Sequence, residues 1–134
     1  MLYWVFTIFV LLHGLVHMVY TAMARNWIPA PQGQENWTGS SWLLAGQLGE
    51  QGTRNVGVVG FTLVTVLFGI TAIGMMLRSP WATAWLAGSA ILSSIFLLLM
   101  WDGKFQSLTE KGFIGLAINV ALLILLFAFQ FPKI

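Results

Sequence analysis

The strongest constraint in this sequence is where its charges are not. Four runs, residues 2–24, 56–77, 81–101 and 113–131, contain no Asp, Glu, Lys or Arg. Each is close to the roughly 20 residues that a helix rising ~1.5 Å per residue needs to cross about 30 Å of hydrocarbon. The formal charges, Arg25, Arg54, Arg78, Lys104, Lys111, Lys133, Glu35, Glu50, Asp102 and Glu110, all fall between or beyond these runs. Backbone polar groups in hydrocarbon must be satisfied within their own segment. Runs of this length without period-two alternation therefore predict helices rather than barrel strands. The expected fold class is an all-α, multi-pass membrane protein. It has four transmembrane helices in an antiparallel bundle, one domain over 1–134, with a longer interfacial loop, 25–55, between helices 1 and 2. The tight links around Arg78-Ser79-Pro80 and from Asp102 to Gly112 make successive helices antiparallel neighbours.

Composition supports this reading and excludes other classes. With 58% hydrophobic and 7% charged residues, the chain cannot give a soluble domain its polar coat, which usually needs about 25% charged residues. A net charge of +2 spread over so few groups forms no basic face for nucleic acid. The absence of Cys excludes disulfides, thiol redox chemistry and thiolate metal sites. The first run lacks a basic leader and its apolar stretch is too long for a signal peptide, so it reads as a retained helix. Trp81 and Trp101 bracket the third run as interfacial aromatics do, and Trp4 and Tyr20 do the same for the first.

The long connection holds Trp27, Pro29, Pro31, Trp37 and an apolar patch of Trp42, Leu43, Leu44 and Leu48. Its length and composition suit a stretch at headgroup level, either a plain anchor or a lid over one mouth of the bundle. Counting Lys and Arg favours that loop on the cytoplasmic side, although all four acids share that side and leave it formally neutral. Lipid gives helices no hydrophobic reason to associate, so small residues mark packing seams. Candidates are Gly57, Gly60, Gly69 and Gly74, the Thr65/Gly69, Ala84/Gly88 and Ser89/Ser93 pairs, and Ala117/Ala121. The Leu-rich stretches 95–100 and 122–129 are expected to face lipid or neighbouring subunits.

The arrangement able to carry chemistry is His13-Gly14-Leu15-Val16-His17. A four-residue step puts both imidazoles on one helix face, and an ionisable group near mid-membrane needs a partner, water or a ligand. A zincin protease is excluded because Gly14 occupies the position of the catalytic Glu in HExxH. Membrane di-iron enzymes need many more His. A zinc ion wants three or four ligands, and Asp102 and Glu110 are expected at an interface. Two His on one side of a ring cannot be the opposed axial ligands of one haem in a monomer. Each could bind its own haem or chlorin magnesium, or meet its symmetry mate, with Gly14 letting a flat cofactor or a helix approach. The candidate cofactor-binding residues are thus His13, His17 and Gly14, the metal candidates His13 and His17, and the cofactors haem, a chlorin or a divalent metal. Two further readings stand beside these. Neutral imidazoles can hydrogen-bond to Ser89, Ser93, Ser94, Asn119 or carbonyls of neighbouring helices, or the pair can line a proton or solute path. No set of nucleophile, base and orienter is visible. Asn119 reads as interhelical glue, and Asp102 and Lys104 as a solvated interfacial pair able to gate the bundle.

At HGLVH, Ser41-Trp42-Leu43-Leu44-Ala45, Trp101-Asp102-Gly103-Lys104-Phe105 and Asn119, the chain resembles a group of small four-helix membrane proteins of bacteria and archaea. Some of these are labelled transporter permeases. The likeness spans nearly the full length in pattern. It departs at Gln106-Ser107-Leu108-Thr109, where the group continues with a Gly-Thr pair, and in the longer first loop. The resemblance implies a multi-pass protein of a prokaryotic cytoplasmic membrane and supplies no reaction. Two functions follow as expectations. One is a non-enzymatic membrane subunit or oligomeric scaffold, homo-oligomeric or part of a larger membrane complex. The alternative is a small oligomeric transporter or channel with the His pair on its path.

Overall fold

The structure, a computed structural model, describes residues 1–30, 32 and 37–134. Among them the chain is all-helical, with α1 (Leu2–Ala24), α2 (Ala45–Met76), α3 (Ala82–Met100) and α4 (Phe113–Ala128), and short 3-10 turns at Trp37–Gly39 and Leu108–Lys111. The first three helices, of 23, 32 and 19 residues, are long and apolar enough to cross a membrane. The chain is therefore a membrane protein with transmembrane helices. The apolar α4 is shorter, at 16 residues.

Two helix ends differ from the sequence expectation. α2 starts at Ala45, within the stretch expected as loop, and carries Glu50 and Arg54 on its first turns. An uncharged run marks the part of a helix suited to hydrocarbon, and hydrogen bonding of the backbone continues past it into the interface. The path of α2 breaks at Gly49 (φ 71°, ψ −179°), a backbone conformation open to glycine. α4 ends at Ala128 rather than Phe131, with Gln130 in the left-handed region ahead of Pro132. A proline disfavours the helical region for the residue before it, and helices usually end at or before that point.

The inward face of α1 recurs every three or four residues through Thr7, Val10, Gly14, His17, Thr21 and Ala24, all buried, the spacing of one helix stripe. It lies along α2 from end to end. Tyr3 donates its hydroxyl hydrogen bond to Met75 O (2.6 Å), Thr65 Oγ1 donates to Gly14 O (3.1 Å), and the hydroxyls of Thr21 and Thr62 pair at 3.3 Å. Between α2 and α3 the hydroxyls of Thr71 and Ser89 pair at 3.2 Å. One apolar cluster gathers Phe6, Val10, Val64, Phe68, Leu86 and Leu122, and a second gathers Met23, Trp37, Phe61, Leu97 and Met100.

The small residues divide into two sets. A Cβ on Gly60 would meet the Phe96 ring at 2.2 Å and one on Gly74 the Trp81 ring at 2.4 Å, so these are internal seams as expected. Ser89 and Ser93 are buried as well. Ala84, Gly88, Ala117 and Ala121 are instead exposed, and a Cβ on Gly69 or Gly88 would meet nothing. The Leu-rich stretches are likewise not uniformly outward. Leu97, Met100 and Leu122 are buried, while Ile95, Leu98, Ile124 and Phe127 are exposed, because a helix in a bilayer still turns one stripe toward its neighbours.

Aromatic residues gather at both ends. Tyr3 packs edge-on against Trp4 and lies under the Arg78 guanidinium, 4.3 Å from the ring centre, and Trp81 packs against Trp85. At the other end Trp37 contacts Tyr20, Arg25 lies over Trp27, and Trp101 contacts Phe105 and Phe113.

Candidate functional site

His13 and His17 face inward together because a four-residue step on α1 keeps them on the buried stripe, and His17 is fully buried. They meet Ser93 of α3 and Asn119 of α4, both also fully buried. The four residues form a closed hydrogen-bonded ring. His13 Nε2 lies 2.8 Å from Asn119 Oδ1, Asn119 Nδ2 lies 2.7 Å from Ser93 Oγ, Ser93 Oγ lies 2.7 Å from His17 Nε2, and His17 Nδ1 lies 3.1 Å from the His13 carbonyl oxygen.

The partners assign the protons. A carbonyl oxygen only accepts, so His17 Nδ1 carries a hydrogen and, in the neutral ring, Nε2 is the acceptor. Ser93 therefore donates to His17 and accepts from the Asn119 amide. Asn119 Oδ1 in turn accepts from His13 Nε2–H. Every link has one donor and one acceptor with both imidazoles neutral, which is the condition for a polar group to be buried at modest cost. Aromatic side chains close the surroundings. Phe68 contacts both imidazoles, with ring centres 5.1 Å from His13 and 5.8 Å from His17, and Tyr20 meets His17 edge-on at 5.8 Å.

This geometry selects among the sequence readings. Of the expected hydrogen-bond partners, Ser93 and Asn119 are used, and the carbonyl engaged is His13 O of α1 itself rather than one on a neighbouring helix. Ser89 bonds to Thr71 and Trp85 O, and Ser94 donates to Ala90 O. Haem, chlorin or metal binding draws no support from this arrangement. Both nitrogens of His17 and Nε2 of His13 are engaged, and among the described residues no group of three or more His, Cys, Asp or Glu is placed to hold a metal ion. Gly14 leaves no room for a flat cofactor, because a Cβ there would lie 2.4 Å from Phe68 Cβ. Its missing side chain is filled by α2.

Asp102 and Lys104 do not form the expected side-chain pair. Asp102 accepts from the Lys104 backbone N–H (3.0 Å) and pairs its carboxylate with Lys111 Nζ at 2.9 and 3.1 Å. Lys111 is almost fully buried and also donates to Lys104 O (3.3 Å), while Lys104 itself is exposed. Lys111 was missed because a charge beside an apolar run normally reads as a solvated flank. A carboxylate nine residues earlier, across a turn, was the signal. Expectations for Pro31, Glu35 and the Glu110 side chain lie outside the described residues.

The connection before α2 is tied at two places. Ser41 Oγ donates to Leu99 O and accepts from the N–H groups of Leu43 and Leu44, Trp42 N donates to Trp101 O (2.8 Å), and Trp42 Nε1 donates to Leu98 O (2.8 Å). These carbonyls are the ones a helix C-terminus leaves without partners. Buried Arg54 reaches Thr38 Oγ1 (2.6 Å), Met23 O (3.4 Å) and Glu50 (3.1 Å), joining this segment to the end of α1. In comparisons with family models, curated proteins and solved structures, nothing matches this chain.

Proposed function

We propose that the chain is a non-enzymatic integral membrane subunit or oligomeric scaffold. It forms an antiparallel bundle that spans the bilayer four times and works by associating with itself or with larger membrane partners. One observation carries this reading: the buried polar side chains of the spans bond to one another or to backbone carbonyls inside the bundle, whereas small residues one helical turn apart are left on the outer surface. His13, His17, Ser93 and Asn119 bond to one another, so three of the four imidazole nitrogens are taken up within the bundle. Ala84 and Gly88 on α3, and Ala117 and Ala121 on α4, face outward at the four-residue spacing that lets another helix approach closely.

In this reading the segment before α2 is an interfacial anchor fastened to the end of α3, rather than a lid. The stretches that carry the resemblance to small four-helix membrane proteins, Ser41–Ala45 and Trp101–Phe105, bond to one another through Trp42, which supports treating them as one structural unit of such proteins. The transporter or channel alternative draws less support from a ring whose polar atoms face each other.

Counting subunits in lipid nanodiscs by native mass spectrometry, with the full chain, tests the proposal. Association in the unaltered chain and its loss in Gly88→Leu or Ala121→Leu, both outward substitutions, is the expected result. Single chains at every protein-to-lipid ratio, together with single chains extracted from the native membrane, would overturn it.

A further inference from the structure

The polar ring, with Ser93 donating to His17, requires His17 Nε2 to be without a proton. His17 Nε2 is the acceptor for the Ser93 hydroxyl and Ser93 Oγ is the acceptor for the Asn119 amide. A proton added at His17 Nε2 turns that acceptor into a donor. The Ser93 hydroxyl hydrogen must then turn elsewhere, leaving its oxygen to accept from both His17 and Asn119. Among the described residues no anion stands beside the added charge to balance it. From α1 the ring meets Tyr20, from α2 Phe61 and Phe68, from α3 Ser93, and from α4 Asn119. Among the described residues no carboxylate bonds either imidazole, since Glu50 pairs with Arg54 and Asp102 with Lys111. An uncompensated cation in such surroundings is relieved by admitting water.

What water would separate follows from how α4 is held. Asn119 supplies the side-chain hydrogen bonds from α4 to α1 and α3, and the rest of its inner face, Gly115 and Leu122, packs by apolar contact. In a bilayer apolar contact has no hydrophobic drive behind it. We propose that the ring is an acid-operated latch: one proton taken up by the His13–His17 pair leaves an unbalanced charge between the helices, draws water onto the links through Ser93 and Asn119, and so releases α4 from α1 and α3. A state that binds a proton the closed state does not is favoured by acid through mass action alone. The latch holds whether or not the chain associates with a partner.

The natural absence of Cys makes the test direct. Spin labels at Leu12→Cys on α1 and Val120→Cys on α4, both exposed positions, report the distance between the helices in proteoliposomes at about pH 7.5 and about pH 4.5, a range that brackets ordinary histidine titration. The expected result is one distance population at the higher pH and a second, longer one in acid, with no second population in the His13→Gln/His17→Gln background. Because that background is able to fold poorly, the unaltered sequence is also followed by nitrogen-15 histidine NMR in bilayers. It should show His13 protonated at Nε2 and His17 at Nδ1, with an imidazolium arising over the same pH interval as the longer distance. An acid-independent distance in the unaltered ring would overturn the latch. So would an acid response that survives loss of both histidines, or helix separation while both imidazoles stay neutral.

Discussion

A methyl group at residue 14 has no space to occupy. In an open helix Gly→Ala is worth about 1 kcal/mol in favour of the helix, but here the new carbon would lie 2.4 Å from Phe68 Cβ, and neither backbone-proximal atom can swing aside. The clash decides the sign. Gly14→Ala is expected to destabilise the protein by about 1–3 kcal/mol, the usual cost of overpacking, in reversible unfolding from detergent micelles. A neutral or stabilising result would mean that α1 and α2 do not approach as closely as Gly14 and Phe68 do here. At this scale the sequence was informative up to a point. The spacing of His13 and His17, with Ser93 and Asn119 among the partners on offer, already contained the ring. Its closure was not legible, because Ser89, Ser93 and Ser94 are equivalent in sequence, and only the rotation of α3 about its axis decides that Ser93 faces the histidines. Gly14 carried the same ambiguity, since a gap suited to a cofactor and a gap filled by Phe68 read alike.

Helix ends were harder to read than helix interiors, and their physical reason is the same at each end of the loops. The uncharged runs located α1 and α3 nearly to the residue, but α2 extends back to Ala45 through Glu50 and Arg54, because those charges are satisfied by Thr38, Met23 O and each other rather than by ending the helix. Between α3 and α4, Gly112 (φ 87°) and the Lys111–Asp102 pair set the turn. The two side chains are only 2% and 11% exposed, so solvent screening is weak and the partner left behind by a single substitution is a poorly solvated charge. Lys111→Met should therefore cost about 3–5 kcal/mol, the range for breaking a buried pair. Lys111→Met with Asp102→Leu should cost less than Lys111→Met alone, since no stranded carboxylate is left. Unfolding of the two variants side by side measures the difference. Equal losses would show that the pair acts only by filling space.

The molecule as a whole is decided by its fourth helix. Sixteen residues of α4 at ~1.5 Å each reach about 24 Å, short of the ~30 Å of a typical hydrocarbon core. A fourth crossing would draw its remainder from Phe129 and Phe131, whose segment is held at the start of α1 by the Phe6–Phe131 ring contact at 5.0 Å. That contact puts the C-terminal tail at the same end as Tyr3, Met75 and Arg78, and opposite the end where Trp42 meets Trp101. Charge alone does not give the orientation of this arrangement. Arg54 and Lys111, half of the basic residues on the long-loop side, are buried in ion pairs, which leaves Arg25 and Lys104 there against Arg78 and Lys133 opposite. The relative sidedness is testable without knowing which face is cytoplasmic, since the sequence contains no Cys to confuse the labelling. Single cysteines at Ser79, Lys133, Arg25 and Lys104, exposed to a membrane-impermeant maleimide in oriented vesicles, should fall into two groups. Ser79 and Lys133 should label from one side and Arg25 and Lys104 from the other. If Lys133 labels with Lys104, α4 enters and leaves by the same face and the bilayer is crossed three times. If it labels with Ser79, the short helix and its aromatic tail complete a fourth crossing, and the ring of His13, His17, Ser93 and Asn119 lies enclosed between helices that all traverse the membrane.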